Sequence, residues 1–265
     1  MKVSILLFCV GAIAFVPTLL FGQTGASNHP DLNGFWNNQY TPNLAQALGH
    51  ELPYTPYGLQ RWKGVDTKDD PTGRCLPVGP SRAFTAPMPF QLVQGPNVIA
   101  FLYEYQTIYR LIYMDRRQHP PDILEYPEFM GHSTGRWEGD TLVIDTVGIN
   151  DRSWLDTAGH EHSAKLHLIE RLQKVDENHL KWTVTYDDPV FFTEPWSITR
   201  TFTRGKPTDR IMAYSCEENN KDVEHLKGGT NKNPLKSIYA NGPFPSSHLP
   251  DGNWELGNGP LAYGP

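Results

Sequence analysis

A dense series of short strand-like segments, from about residue 90 to residue 216, constrains the fold of this chain more than any other feature. Runs rich in Val, Ile, Tyr and Phe alternate with polar turn signals, as in "VIAFLYEY", "TLVIDTVG", "HLKWTVTY" and "WSITRTFTR". Many short strands with almost no helical periodicity are typical of antiparallel meanders. We therefore predict an all-β fold in which the meander closes into a barrel or packs as a sandwich.

Loop-rich segments flank this β region on both sides. Residues 23–89 are rich in Pro, Gly and Asn, and only "LAQALGHE" and "YGLQRW" suggest short helices. We predict that this N-terminal segment wraps the antiparallel β domain of residues 90–220 as ordered loop. Residues 221–265 become rich in glycine and proline again, which predicts an extended C-terminal tail.

The N-terminus carries a short apolar run. The run "VSILLFCVGAIAFVPTLLFG" follows Lys2, contains Pro17 and ends in small residues near Gly22. This pattern predicts a signal peptide over residues 1–22, and hence a periplasmic or secreted protein with no stable membrane anchor after cleavage. A retained anchor is the alternative, because the run is close to the minimum length that spans a bilayer.

The charge of the chain bears on its partners. The formal net charge is −6 over 265 residues, and the basic residues form no stripe. Nucleic acid is therefore not an expected partner, because its recognition depends on clustered Lys and Arg side chains. We expect a small-molecule ligand, and the sequence gives no indication of an oligomeric state.

The cysteines bear on the compartment. Cys9 lies in the apolar run, so the mature chain would keep only Cys75 and Cys216. In an exported protein these two residues are expected to form a disulfide, and closing so long a loop would contribute about 4 kcal/mol. Two buried free thiols are the alternative.

Two short sequence patterns resemble known families. Gly34-Phe35-Trp36 precedes the meander and resembles the Gly-x-Trp opening of lipocalin-type barrels, which implies that the Trp plugs one end of a lipocalin-like barrel. The longer string "GRWEGDTLVIDTVG", with "RCLP" before it and "SCEEN" after it, resembles a family of exported bacterial proteins. The second resemblance covers roughly residues 30 to 225 and implies export, without assigning catalytic residues.

The string "GRWEGDTLVIDTVG" predicts a hairpin whose loop is Gly139-Asp140. In that register Thr134 pairs with Asp145. Because alternate residues share a face of a sheet, His132, Arg136 and Asp145 lie on the same face. The pattern leaves the direction of this face open, and we take as a hypothesis that it points into the barrel.

The loop "NDRSWLDTAGHEHS" that follows the hairpin is the stretch richest in reactive side chains. We expect His160 or His162 to meet Asp145 at one end of the cavity, where a histidine could act as an acid or base. A divalent metal at His160 and His162 is a second interpretation, with Glu170 or His167 as a third ligand. Solvated loop histidines are the third. No other cofactor is expected.

Four charged residues fall in apolar rows of the predicted strands, namely Glu104, Arg110, Glu170 and Arg200. Buried charges must pair or shift their pKa, so Glu170 and Arg200 could form an ion pair in the barrel wall. The alternative is a ligand cavity with a few polar groups among aromatic side chains. Its substrate-binding candidates are Arg136, Arg110, Tyr103, Glu104, Trp154 and Arg200.

Motifs of several enzyme classes are missing from the sequence. It has no Gly-x-Ser-x-Gly elbow, phosphate loop, Gly-x-Gly-x-x-Gly or His-Glu-x-x-His. Our first hypothesis is an exported enzyme, a lyase, isomerase or hydrolase, which acts by acid–base or metal-assisted chemistry on a small apolar or aromatic molecule in a barrel cavity. Its catalytic candidates are His132, Asp145, His160, His162 and Glu170. A lipocalin-like carrier without catalysis and an envelope-associated structural protein are the alternatives.

Overall fold

The computed structural model describes residues 29–216 and residue 218. Within them, nine strands close into a barrel in which each strand pairs with the next and the last pairs with the first. The all-β barrel prediction is confirmed. The predicted signal peptide over residues 1–22 and the tail over residues 221–265 lie outside the described residues. The strands are β1 (Gly34–Asn37), β2 (Phe90–Gln94), β3 (Val98–Tyr103), β4 (Tyr109–Tyr113), β5 (His132–Glu138), β6 (Thr141–Val147), β7 (His167–Asp176), β8 (His179–Asp187) and β9 (Trp196–Arg204).

One junction departs from the antiparallel meander that the sequence predicts. Strands β4 and β5 run parallel, with Ile112 opposite Ser133 and Tyr113 opposite Thr134. Parallel neighbours require a long crossover, which residues 114–131 provide. The proline-rich sequence of this crossover carries no strand or helix signal, so the sequence did not reveal the change of direction.

The hairpin of β5 and β6 has the predicted register. Thr134 lies opposite Asp145 and Glu138 lies opposite Thr141, so Gly139 and Asp140 form the two-residue loop. Gly139 has a φ of 58°, a left-handed conformation that glycine adopts at no steric cost and that such a turn requires.

The N-terminal segment does more than wrap the surface. Besides β1, it forms helices α1 (Leu44–Leu48), α2 (Pro56–Lys63) and α3 (Pro80–Thr85). The first two match the predicted helical stretches, but α3 was not expected and all of its residues are buried. This helix inserts Phe84 into the barrel, where its ring lies 4.7–5.4 Å from five aromatic rings on β2, β3, β8 and β9. A helix this short is too brief to show periodicity in the sequence.

Side chains from β9 and from the segment after β1 hold the end of α3. The guanidinium of Arg200 donates to the carbonyl oxygen of Phe84, and the Asn38 amide donates to that of Ala86 at 2.6 Å. Both carbonyls belong to the end of the helix, where backbone oxygens lack partners within the helix. Burial lowers the pKa of Arg200 to about 10, and the helix carbonyl partly compensates this buried charge.

Trp36 and the pair Cys75 and Cys216 are two further features of the fold. Trp36 is completely buried, its indole donates to the carbonyl of Leu32 at 3.1 Å, and the guanidinium of Arg204 lies 4.6 Å from its ring. Cys75 and Cys216 form the expected disulfide. Among the described residues, no helix has the length and apolarity needed to cross a bilayer.

Removing the Phe84 ring should destabilise the barrel strongly. We expect Phe84→Ala to lower the free energy of unfolding by about 3 to 5 kcal/mol, because it leaves a cavity among the surrounding rings. Urea unfolding measures the change. Leu59→Ala on α2, where the side chain is exposed, serves as the control and should change the free energy by no more than about 0.5 kcal/mol. A similar small change for Phe84→Ala would show that α3 does not fill the interior.

Candidate functional site

Three histidines and one aspartate form a hydrogen-bonded group on the outer face of the barrel, which we call the histidine–aspartate cluster. His132 lies on β5, Asp145 on β6 and His167 on β7, three neighbouring strands. The fourth member, His119, comes from the crossover between β4 and β5. The unexpected parallel junction thus carries a histidine to the two predicted members, His132 and Asp145.

The inward orientation expected for His132, Arg136 and Asp145 is wrong. On β6, Ile144 is completely buried in the core, whereas the side chain of Asp145 is 28% exposed. Since successive residues of a strand point to opposite faces, turning Asp145 inward would have placed Ile144 in solvent. Arg136 shares the outer face but is exposed and pairs with Glu138 at 2.7 Å, outside the cluster.

The hydrogen bonds of the cluster define its proton arrangement. His119 Nε2 lies 3.1 Å and His167 Nε2 lies 2.9 Å from the same oxygen of Asp145. An ionised carboxylate only accepts, so both histidines carry a proton on Nε2. Neutral His119 then has its lone pair on Nδ1, which lies 2.8 Å from His132 Nδ1. His132 donates from Nδ1 and keeps the lone pair of its own Nε2.

The environment moves the pKa values of two cluster histidines in opposite directions. Partial burial lowers the pKa of His132, and the positive charge of Arg117 lowers it further. The hydrogen bond to Asp145 raises the pKa of His167 against the effect of its partial burial. The same hydrogen bond lowers the pKa of Asp145. The cluster thus favours the neutral form of His132 and the protonated form of His167.

An aromatic side chain and an arginine border the cluster. The ring of Tyr113 stacks on His132 with the centroids 5.2 Å apart, and the guanidinium of Arg117 lies 3.8 Å from the Tyr113 centroid. Arg117 is held by Asp115 at 2.5 Å. The side chains of His119 and His167 are partly exposed, so small molecules in solution can reach the cluster.

His160 and His162 do not meet Asp145, contrary to expectation. Both are buried: His160 Nδ1 lies 2.5 Å from Asp156, and His162 Nε2 accepts from the Ser153 hydroxyl at 3.1 Å. Asp156 also accepts the backbone N–H of Leu44 at the start of α1, at 2.6 Å, which ties the loop to this helix. The two imidazoles therefore engage separate hydrogen-bond partners. No group of three His, Cys, Asp or Glu side chains with metal-binding geometry occurs in the described part of the chain.

Glu170 is completely buried, but its ion pair is with Arg110 and not with Arg200. The Trp182 indole also donates to Glu170, at 3.0 Å. Arg200 lies opposite Trp182, whereas Glu170 lies opposite Val184, and Arg200 binds the end of α3 instead. Glu170 is therefore a member of the barrel interior and has no contact with the solvent-accessible cluster.

The remaining substrate-binding candidates also lie away from the cluster. Tyr103 packs against Phe84 inside the barrel, where burial raises its pKa well above the usual range. Glu104 accepts the backbone N–H of Met212 at 3.1 Å and thereby anchors the segment after β9. Trp154 is buried beside Gly159.

Sequence reasoning missed His119 and gave His167 the wrong partners. His119 lies in a proline-rich segment whose position could not be inferred without the crossover. His167 could have been found. Ile169 on β7 lies opposite Asp145 on β6, and His167 is two residues before Ile169 on the same strand. The outward row of β7 therefore carries it to the same face as Asp145.

Comparison with known proteins does not assign the chain to a family. No family model matches it, and a search of curated proteins found no match.

Replacing Asp145 by Asn should reduce the difference between the pKa values of His132 and His167. In the wild type we expect His132 to titrate below and His167 above the ordinary value near 6.5. In Asp145→Asn the pKa of His167 should fall, because the negative charge that holds its proton is lost. Side-chain NMR titration of both imidazoles measures this. His179, which pairs with Asp176 elsewhere, is the internal control, and an unchanged His167 would contradict the cluster geometry.

Proposed function

We propose that the protein is an exported enzyme that uses the histidine–aspartate cluster for proton transfer on a small molecule, as an isomerase, lyase or hydrolase. One observation carries this proposal: His132 and His167, joined through His119 and Asp145, have pKa values displaced in opposite directions. Environments that separate the pKa values of neighbouring groups are how proteins assign a base and an acid at one pH.

His132 is the general base in this proposal. Its lowered pKa keeps it neutral near pH 7, and its Nε2 lone pair is directed away from His119. When Nε2 takes a proton, the positive charge is stabilised through His119, whose Nε2–H is held by the ionised Asp145. A positioned base of this kind contributes a rate factor of about 10² to 10⁴.

His167 is the general acid. Its Nε2–H is held by Asp145, and in the protonated imidazole the Nδ1–H remains for donation to a substrate. Asp145 thus fixes the orientation of both histidines bonded to it, as a carboxylate does in other acid–base sites. The substrate would lie over the outer face of β5, β6 and β7 and receive one proton while losing another.

The surroundings of the cluster bear on the substrate class, and the disulfide bears on the compartment. Tyr113, which stacks on His132, offers an aromatic surface beside the base, consistent with a small apolar or aromatic substrate. The disulfide between Cys75 and Cys216 supports a periplasmic or secreted location. The carrier hypothesis has weaker support, because Phe84 and its aromatic neighbours occupy space inside the barrel that a carried ligand would need.

Isotope incorporation tests for proton transfer even while the substrate is unidentified. The protein is incubated with a metabolite extract in D₂O, or in H₂¹⁸O for hydrolysis, and labelled compounds are identified by mass spectrometry. We expect labelling by the wild type and by the control His179→Gln. His132→Gln and His167→Gln should reduce it at least about 100-fold, the lower range for a lost general base or acid. Full labelling by His132→Gln would refute the proposed role.

The pH dependence of the identified reaction should be bell-shaped. Activity should rise with pH as His132 loses its proton, at a pKa below about 6.5, and fall as His167 loses its proton, at a pKa above that value. In Asp145→Asn the falling limb should move to lower pH, because His167 no longer faces a negative charge. Steady-state kcat/KM across pH measures both limbs. A falling limb that stays in place would remove His167 from the acid role.

A further inference from the structure

We propose that Arg110, buried inside the barrel, is a positioning residue for the histidine–aspartate cluster on the outside. Arg110 is almost fully buried on β4. Its guanidinium donates to one side chain on each of three strands: to Ser133 on β5 at 2.9 Å, to Thr146 on β6 at 2.5 Å, and to Glu170 on β7. These are the three strands that carry His132, Asp145 and His167.

The inner contacts lie directly behind the outer cluster. Ser133 follows His132 and Thr146 follows Asp145, so two of the three inner acceptors are chain neighbours of cluster members, and Glu170 lies three residues after His167 on β7. Successive residues of a strand point to opposite faces, which means that the backbone held by Arg110 from inside is the backbone that places the cluster outside. The hydroxyls of Ser133 and Thr146 also bond to each other at 3.0 Å, which closes the inner network.

The parallel junction explains why this reinforcement is needed. Strands β4 and β5 share only two pairs of facing residues, whereas β5 and β6 share seven. Without a side chain that bridges from β4 to β5, β6 and β7, the position of Tyr113 relative to His132 and Asp145 would depend on this short pairing. Arg110 provides that bridge.

The chemistry of the Arg110 network also favours a role in fixing the positions of the strands. A buried ion pair such as Arg110–Glu170 is often no more stabilising than apolar side chains of the same volume. Its hydrogen bonds, however, are directional, and a planar guanidinium fixes several acceptors in one arrangement. A network of this kind specifies strand positions more sharply than apolar packing does.

The test is Thr146→Val, with Ser133→Ala as a second variant. Each removes one acceptor of Arg110 with little change of volume. Thr199→Val is the matched control, because it deletes a hydroxyl pair with Thr183 on the exposed face of β8 and β9. We expect the two inner variants to reduce the separation between the His132 and His167 pKa values in NMR titrations. The control should leave it unchanged.

Kinetics supplies a second readout, which rests on the proposed function. In the reaction identified by isotope incorporation, Thr146→Val should lower kcat about tenfold with KM changed less than twofold, because the cluster is displaced and not lost. Unchanged titrations and kcat in both inner variants, even with a lower Tm, would overturn the positioning role. Activity retained by His132→Gln would instead overturn the proposed function, while the NMR titrations would still decide the role of Arg110.

Discussion

The closed barrel must fill its own interior, and the packing of Phe84 is the interaction on which this structure depends. A nine-stranded barrel encloses space that its inward side chains must occupy, and α3 supplies the additional ring among aromatic residues of β2, β3, β8 and β9. Arg200 and Asn38 secure the helix by its terminal carbonyls. With α3 inside, the polar side chains that solvent can reach gather on the outer face.

The parallel pairing of β4 with β5 makes that outer face chemically distinctive. A continuous meander would have joined these strands by a short turn. The crossover instead passes over the sheet and adds His119 to side chains from three consecutive strands. The crossover leaves β4 and β5 paired through only two residue pairs, and Arg110 spans this junction from inside the barrel. The same irregularity in topology thus supplies a member of the cluster and creates the need to hold it in place.

The sequence allowed the fold class, the hairpin register and two cluster members to be predicted, because these follow from local patterns. Alternation and a Gly-Asp turn suffice to pair Thr134 with Asp145. The direction of that face required knowing what fills the barrel, which depends on Phe84, distant in sequence. His119 required the crossover path, and the partners of Glu170 and His160 depended on which strands and helices lie nearby. Each of these is a long-range contact with no local signature.

Closure of the barrel has a consequence for how the chain folds. Strand β1 pairs with β9 through only two residue pairs, Trp36 with Arg204 and Asn37 with Thr203, which come from opposite ends of the described chain. Such distant contacts form slowly, because a long loop must be ordered before they are made. Until then, β9 presents an unpaired edge that other chains can join. The ring can therefore close only after synthesis has reached β9, the last of the nine strands.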